Sequence, residues 1–365
     1  MSARGSDTHA SRVEEQISVI EQEIRETPYN KATQLHIGRL KAKLARLKEQ
    51  AEKKGHRKGI GYAPKKSGDA TCVLVGYPSA GKSTLLNALT NAKSVVGTYD
   101  FTTFDVIPGS MVHKGALIQI LDVPGLISGA AAGKGRGKEV ISVVRSADLI
   151  LIVVDVFSQW QVDVIKNELY EAGIRINQRP PDIAITKKSR GGVSIKKTFQ
   201  GAGMEDATII AILNDFKIHN ADVIFKEEID IDRLVDALVP GRRFIPAITV
   251  VNKTDQSSRP PDFGDVHISA QYLTNLERLK NLIFEKLAFI RVYLKPPGRA
   301  ADSEKPLILR RNSTVREVCH LVHKQASRRF RYAQVWGPSA KYAGQRVGLE
   351  HRLQDNDTVT LVASR

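Results

Sequence analysis

Gly76-Tyr77-Pro78-Ser79-Ala80-Gly81-Lys82-Ser83 fits the pattern G-x-x-x-x-G-K-[ST]. Upstream, Ala70-Thr71-Cys72-Val73-Leu74-Val75 is a short apolar run of the kind that forms a buried strand, and downstream Thr84-Leu85-Leu86-Asn87-Ala88-Leu89 reads as the first turns of a helix. Strand, glycine loop and helix are the setting in which this pattern cradles phosphate. The glycines let successive backbone N–H groups turn toward an anion. The helix N-terminus adds partial positive charge. Lys82 then reaches the β- and γ-phosphates, and the Ser83 hydroxyl, with Thr84 beside it, lies where Mg²⁺ is held.

Working outward, four more stretches fall in an order that completes such a site. Phe101-Thr102-Thr103 follows the first helix and offers a Thr hydroxyl to Mg²⁺. Leu117–Leu121 reads as a strand ending in Asp122-Val123-Pro124-Gly125. There a carboxylate can orient Mg²⁺ through water, and the Gly125 N–H can meet a γ-phosphate. The glycine-rich run 129–138 reads as a loop free to order on a ligand. The apolar strand 149–154 suits a parallel sheet covered on both faces. Another apolar strand, 247–251, leads into Asn252-Lys253-Thr254-Asp255, the N-K-x-D pattern. Asp255 can accept from the N1–H and 2-amino group of guanine, which adenine does not offer. Ser269, Ala270 and Gln271 follow His267-Ile268, with a backbone N–H aimed at the guanine O6.

The 365 residues are enough for two or three domains, and 42% hydrophobic content is that of a folded protein. A net charge of +16 favours a polyanionic partner such as RNA or the ribosome. The two cysteines, Cys72 and Cys319, give no disulfide framework, so a reducing cytoplasmic location is expected. The first residues lack the apolar core of a signal peptide, and no apolar run is long enough for a bilayer. Cys319, His320 and His323 lack a fourth ligand at a usual spacing, so zinc is not expected.

Residues 1–66 read as a helical hairpin and basic linker. Val13, Ile17, Ile20 and Ile24 form one stripe, Thr27-Pro28 breaks the helix, and Ile37, Leu40, Leu44 and Leu47 form a second stripe. Between Arg39 and Lys66 there are eleven Lys/Arg against Glu49 and Glu52, which reads as an RNA-binding arm or as a solvated helix face. Residues 67–298 read as the nucleotide domain, with an α/β insertion over about 176–243 whose Lys187–Arg190 turn is either an RNA contact or a solvated tip. After Pro296-Pro297-Gly298, residues 299–365 read as one helix over short strands, a β-grasp. Its helix over 314–324 is expected to turn Val315, Val318, Leu321 and Val322 inward. Arg328, Arg329 and Arg331 beside Phe330 and Tyr332 suit stacking and phosphate contact with RNA.

Taken together, the Gly-Tyr-Pro-Ser-Ala-Gly-Lys-Ser loop, Phe-Thr-Thr, Asp-Val-Pro-Gly-Leu-Ile, the Gly-Lys-Gly-Arg-Gly stretch and Asn30-Lys31-Ala32-Thr33 resemble the developmentally regulated GTP-binding proteins. These are Obg-related GTPases, here of archaeal type, and the resemblance runs from about Val13 to the C-terminus. It implies an α/β P-loop G domain, an N-terminal helical hairpin, a small α/β insertion and a C-terminal TGS domain. It implies GTP and GDP as ligands, Ser83, Thr103 and Asp122 at Mg²⁺, and residues 101–105 as the first switch. Lys82, Thr103 and Gly125 would face the reacting phosphate. It also implies a monomer acting as a ribosome-associated switch that hydrolyses GTP, with a small regulatory protein as partner and neither DNA nor membrane. An RNA- or ribosome-binding adaptor with a structural nucleotide is the alternative. Leu126 stands where many GTPases place a water-orienting Gln, so slow intrinsic hydrolysis is expected. Some relatives recruit K⁺ through a P-loop Asn; Ser79 stands there in this chain, which leaves K⁺ an open candidate.

Overall fold

The computed structural model describes residues 4–54, 68–90, 107–123, 137–200, 203–259, 261–296, 305–322 and 330–363. In chain order the helices are α1 (Arg4–Glu26), α2 (Gln34–Lys54), α3 (Lys82–Leu89), α4 (Gly137–Ser146), α5 (Trp160–Glu171), α6 (Asp206–Asp215), α7 (Ile231–Leu238), α8 (Leu276–Lys286) and α9 (Val315–Val322). The strands begin with β1 (Ala70–Val75), β2 (Ile107–His113), β3 (Ala116–Asp122), β4 (Leu149–Asp155), β5 (Ile174–Ile176), β6 (Ile183–Lys187), β7 (Val193–Lys197) and β8 (Ala221–Phe225). They continue with β9 (Arg243–Ile245), β10 (Ala247–Asn252), β11 (Val266–His267), β12 (Phe289–Leu294), β13 (Leu307–Arg310), β14 (Phe330–Trp336), β15 (Gln345–Val347) and β16 (Asp357–Ala363). The chain divides into two compact units, one made of residues 1–61 with 178–244, the other of residues 62–177 with 245–365.

The larger unit holds a six-stranded sheet in the order β11-β10-β4-β1-β3-β2, parallel except for the edge strand β2. Alternate residues of its central strands enter two separate cores. Cys72, Leu74, Leu149, Leu151, Val153 and Val250 pack toward α3 and α8. Val73, Val75, Ile150, Ile152, Val154 and Val251 pack toward α4 and α5. Burial on both faces is why these strands are continuous apolar runs. It also brings the C-terminal ends of β1, β3, β4 and β10 to one edge of the sheet.

The same unit contains the C-terminal sheet, ordered β13-β12-β16-β14-β15, over whose core α9 lies. The expectation that this domain starts at residue 299 needs correction. β12 pairs with both β13 and β16, so the sheet already begins at Phe289, before the prolines. Ile290 and Val292 belong to its core, and chain cleavage at residue 302 would strip β12 of both neighbours. The inward stripe of α9 is also shorter than expected. Val315, Val318 and Cys319 are buried, whereas Leu321 and Val322 are exposed.

The smaller unit joins the N-terminal hairpin to the insertion. The carboxamide oxygen of Asn30 accepts from the N–H groups of Ala32 and Thr33, which fixes the turn between α1 and α2. A three-stranded sheet, β6-β8-β7, forms a core with α6 and α7 to which Ala42 and Ala45 of α2 contribute. α2 therefore has two buried faces. Ile37 and Leu40 were legible as a stripe; Gly38, Ala42 and Ala45 were not. A Cβ on Gly38 would come within 3.1 Å of Ile212, so α2 and α6 approach closely there. The basic face of α2 is largely engaged by its own unit. Lys41 pairs with Asp232 at 2.7 Å, Lys48 with Glu21 at 2.8 Å, Arg39 with Asp215 at 3.6 Å, and Arg46 donates to the Asp215 carbonyl. A free RNA-binding arm is therefore not what residues 39–48 form. Residues 55–66, which carried the rest of that expectation, lie outside the described residues.

Overpacking at a small, fully buried position of α2 separates these alternatives. Ala42→Leu is expected to destabilise the smaller unit by about 1–3 kcal/mol, while Lys43→Leu on the exposed neighbouring position changes stability by less than about 0.5 kcal/mol. Equal thermal unfolding midpoints for the two variants would show that α2 does not pack on the insertion.

Candidate nucleotide site

The loop between β1 and α3 is shaped by two glycines. A Cβ on Gly76 would lie 2.3 Å from the Val153 carbonyl oxygen of β4. Gly81 has φ 87°, and a Cβ there would lie 2.3 Å from Asn252 Nδ2. Between them, exposed Ser79 is held at φ 68°, a left-handed conformation that costs a non-glycine residue energy. Pro78 is exposed and Ala80 buried. Tyr77 stacks obliquely on Trp160, the first residue of α5, with ring centroids 5.6 Å apart. That contact had no signal in the sequence beyond an aromatic residue just after β4.

Lys82 is almost fully buried, and its ammonium donates to the carbonyls of Gly76 at 3.0 Å and Tyr77 at 3.1 Å. Burial lowers its pKa, and the nearby Asp122 carboxylate pushes the other way. Among the described residues the loop thus folds around a cation that has carbonyl dipoles but no direct ion pair, a place suited to an anion. Ser83 Oγ donates to Asp122 Oδ2 at 2.6 Å. This bond is possible because β1 and β3 are parallel neighbours with Leu74 opposite Asp122. A hydroxyl and a buried carboxylate meeting beside a phosphate loop are hard oxygen donors of the kind Mg²⁺ takes, so the residues present fit that ion. Thr84 is exposed on the first turn of α3, and Val123 is buried beyond Asp122. Phe101, Thr102, Thr103, Pro124 and Gly125 lie outside the described residues.

The opposite wall comes from β10 and the segment after β11. Asn252 is buried, and its carboxamide is engaged at both ends: Nδ2 donates to the Ala80 carbonyl at 3.0 Å, and Oδ1 accepts from the Ala270 N–H at 3.0 Å. Asn252 therefore braces the phosphate loop against the 269–271 loop. Lys253 has φ 62°, which turns the chain into the short 3₁₀ segment Thr254–Gln256. The Thr254 N–H donates to the Ile268 carbonyl. Asp255 is exposed, and Ser269 Oγ donates to its Oδ1 at 2.6 Å. Ser269 is itself fixed, accepting from the Tyr272 N–H at 3.2 Å. Gln271 is exposed at the rim. One carboxylate held in place by a buried hydroxyl, next to the segment that Asn252 ties to the phosphate loop, can read the two donors of a guanine edge.

With this geometry in hand, comparisons place the chain among known proteins. Residues 71–187 match the family described as 50S ribosome-binding GTPase, residues 190–289 match the C-terminal region of that domain, and residues 290–363 match the TGS domain. A GTP-binding protein of Methanocaldococcus jannaschii is 52% identical, covering 97% of this chain and 93% of its own. A GTP-binding protein of Halobacterium salinarum is 42% identical, covering 97% of this chain and 100% of its own. Developmentally-regulated GTP-binding protein 2 of Homo sapiens is 41% identical over 95% of this chain and 98% of its own. No helix among the described residues is long and apolar enough to cross a membrane. The chain belongs to the developmentally regulated GTP-binding protein family: it is a GTP-binding protein with a P-loop G domain and a C-terminal TGS domain.

Proposed function

We propose that this protein hydrolyses GTP to GDP and phosphate, slowly when alone, and that the cycle acts as a ribosome-associated switch in translation. The observation that carries the nucleotide part is the brace through Asn252, which ties the loop around Lys82 to the segment that holds the Ser269–Asp255 pair. Lys82 would carry the charge facing the β- and γ-phosphates. Ser83 and Asp122 would hold Mg²⁺, with Thr103 as a further ligand, and the ion when bound neutralises charge on the β- and γ-oxygens. Asp255, oriented by Ser269, would select guanine. Water attacks the γ-phosphorus, the bond to the β–γ bridging oxygen breaks, and the proton passes to the released phosphate. Leu126 offers no group to orient that water, which supports a slow intrinsic step. The ribosomal destination is supported by the description of the matching family and by the net charge of +16. A small regulatory protein as partner and a cytoplasmic location belong to the same reading.

Asp255→Asn is expected to weaken GDP binding by about 100-fold or more, since two hydrogen bonds to a charged acceptor are each worth about 1.5–3 kcal/mol. The same change should improve binding of xanthosine diphosphate, whose 2-oxo group accepts where guanine donates. Calorimetric titration with both nucleotides reads this directly, and unchanged GDP affinity would remove Asp255 from the base site.

Two changes separate charge from bracing. Lys82→Ala should lower GTP affinity by about 100-fold or more while moving the unfolding midpoint little, because the bonds it loses to the Gly76 and Tyr77 carbonyls are offset by removal of a desolvated cation. Asn252→Ala should do both, weakening GTP binding and costing about 1–3 kcal/mol of stability for each backbone group left buried and unpaired. Equal behaviour of the two variants in thermal unfolding would refute the bracing role.

Single-turnover hydrolysis without ribosomes is expected below about 10⁻² s⁻¹, with acceleration when ribosomes are added. Cosedimentation should be stronger with a non-hydrolysable GTP analogue than with GDP. No cleavage under either condition would leave an adaptor with a structural nucleotide; equal pelleting in both nucleotide states would sink the switch.

A further inference from the structure

The outer face of the C-terminal sheet carries two aromatic rings, each with a cation against it. Ala333, Val335 and Val359 point into the core, so the pleat turns Tyr332, Gln334 and Trp336 of β14 to the opposite face. On one side of β14 they are paired with Val362, Thr360 and Thr358 of β16; on the other, Gln334 is opposite Arg346 of β15. The Arg346 guanidinium lies 4.8 Å from the Tyr332 ring centroid, and Lys295 Nζ lies 4.5 Å from that of Trp336. Both rings are half-buried, whereas Arg346 and Arg331 are exposed. Gly344, at φ 74°, lets the backbone close on the indole: a Cβ there would lie 3.3 Å from Trp336 Nε1. The single acid on β12, β14, β15 and β16 is Asp357. It is fully buried and accepts from the N–H groups of Ser339 and Gln354. No carboxylate of these strands therefore faces outward.

We propose that this face binds unpaired RNA, with Tyr332 and Trp336 each stacking one base and Arg346 and Lys295 contacting phosphates. The choice of RNA over DNA rests on the ribosome-associated reading above; the choice of an unpaired strand rests on geometry. Four residues along a strand place the two rings about 13 Å apart. Bases in a stacked strand follow each other at about 3.4 Å. A duplex cannot present two separated base faces to the rings, whereas a splayed strand can, leaving Gln334 to meet the edge of the base between them. A cation over a half-buried ring at the surface is a weak contact, and a stacked nucleobase is a stronger one. Exchange of cation for base is therefore favourable, and the displaced ammonium or guanidinium gains a phosphate. An acidic protein segment would use the cations but not the rings, and the test below separates the two.

The experiment uses the full chain carrying Trp160→Phe, which leaves Trp336 as the single tryptophan reporter. A labelled uridine 12-mer is titrated by fluorescence anisotropy while tryptophan emission is followed. Binding should quench Trp336. Tyr332→Leu with Trp336→Leu should weaken binding at least tenfold with the salt dependence unchanged, and Trp336→Phe should retain most of the affinity. Lys295→Ala with Arg346→Ala should weaken binding and reduce the slope of log K against log salt by roughly 1.4, the value for two single-strand phosphate contacts. The proposal is overturned if the double Leu variant, folded by circular dichroism, binds like its parent, if Trp336 is not quenched, or if a 12-base-pair RNA duplex binds as tightly. Equal affinity for the deoxy 12-mer would overturn the assignment to RNA. Ribosome pelleting of the parent is run in parallel. Failure to pellet with quenching intact would sink the ribosomal reading and leave this site standing.

Discussion

One buried carboxamide, that of Asn252, holds the phosphate loop to the loop at residues 269–271. Asn252 must donate to the Ala80 carbonyl and accept from the Ala270 N–H at the same time, and only an amide side chain offers one group of each kind at that spacing. An aspartate would set an anion against the Ala80 carbonyl. Two consequences follow from the position of this group. Gly81 cannot carry a side chain, because its Cβ would occupy the space of Asn252 Nδ2. Neither loop can shift alone either, since leaving a buried backbone group unpaired costs about 1–3 kcal/mol. The loop around Lys82 and the segment that carries Ser269 and Ala270 are thereby fixed relative to each other before any ligand arrives. Pre-organisation of this kind lowers the ordering cost that binding would otherwise bear.

The electrostatics follow from that frame. Lys82 sits in the loop with two carbonyls as hydrogen-bond partners and, among the described residues, without a carboxylate bonded to it. Asp122, whose charge acts on it, is engaged by Ser83 instead. An ammonium so placed is stabilised by dipoles and not neutralised, and desolvation makes its charged state more dependent on an incoming anion. A direct Lys82–Asp122 pair would have given a quieter, self-satisfied site and a weaker hold on a triphosphate. The parallel pairing of β1 with β3 matters here because it delivers Asp122 beside Ser83.

Much of this was legible in the sequence, for a physical reason. Strands buried on both faces are unbroken apolar runs, and glycines at close approaches have no substitute, so β1, β4, β10 and the loop at residues 76–83 announced themselves. The parts that were missed depend on partners far away in the chain. Gly38, Ala42 and Ala45 bury a second face of α2 against α6 and the insertion core, but small residues barely register in an apolar periodicity. Lys41 and Lys48 looked like free charge until Asp232 and Glu21 came within reach. β12 looked like the end of the nucleotide domain because prolines follow it, whereas its pairing with β13 and β16 makes it the second strand of the last sheet. Leu321 and Val322 continued an apolar pattern yet are exposed, because periodicity alone does not tell which positions of a helix meet a core.

The same distinction governs how the net charge of +16 should be read. A sum over residues says nothing about where potential accumulates; internal pairing decides that. In α2 the cations Arg39, Lys41 and Lys48 each face an acid of their own unit, which reduces the field that face can project. In the C-terminal sheet, Arg310 joins Asp148 at 3.2 Å and reaches the Leu287 carbonyl, tying β13 to the segment before β4 and to the end of α8. Arg291 is likewise held by Asp355, both nitrogens and carboxylate oxygens matched, which raises its pKa and lowers that of its partner. The cations packed on Tyr332 and Trp336 differ in kind. A ring quadrupole attracts a cation without cancelling its charge. Lys295 and Arg346 therefore remain electrostatically available on a face where the strands' single carboxylate is buried. Their surroundings leave a phosphate something to gain.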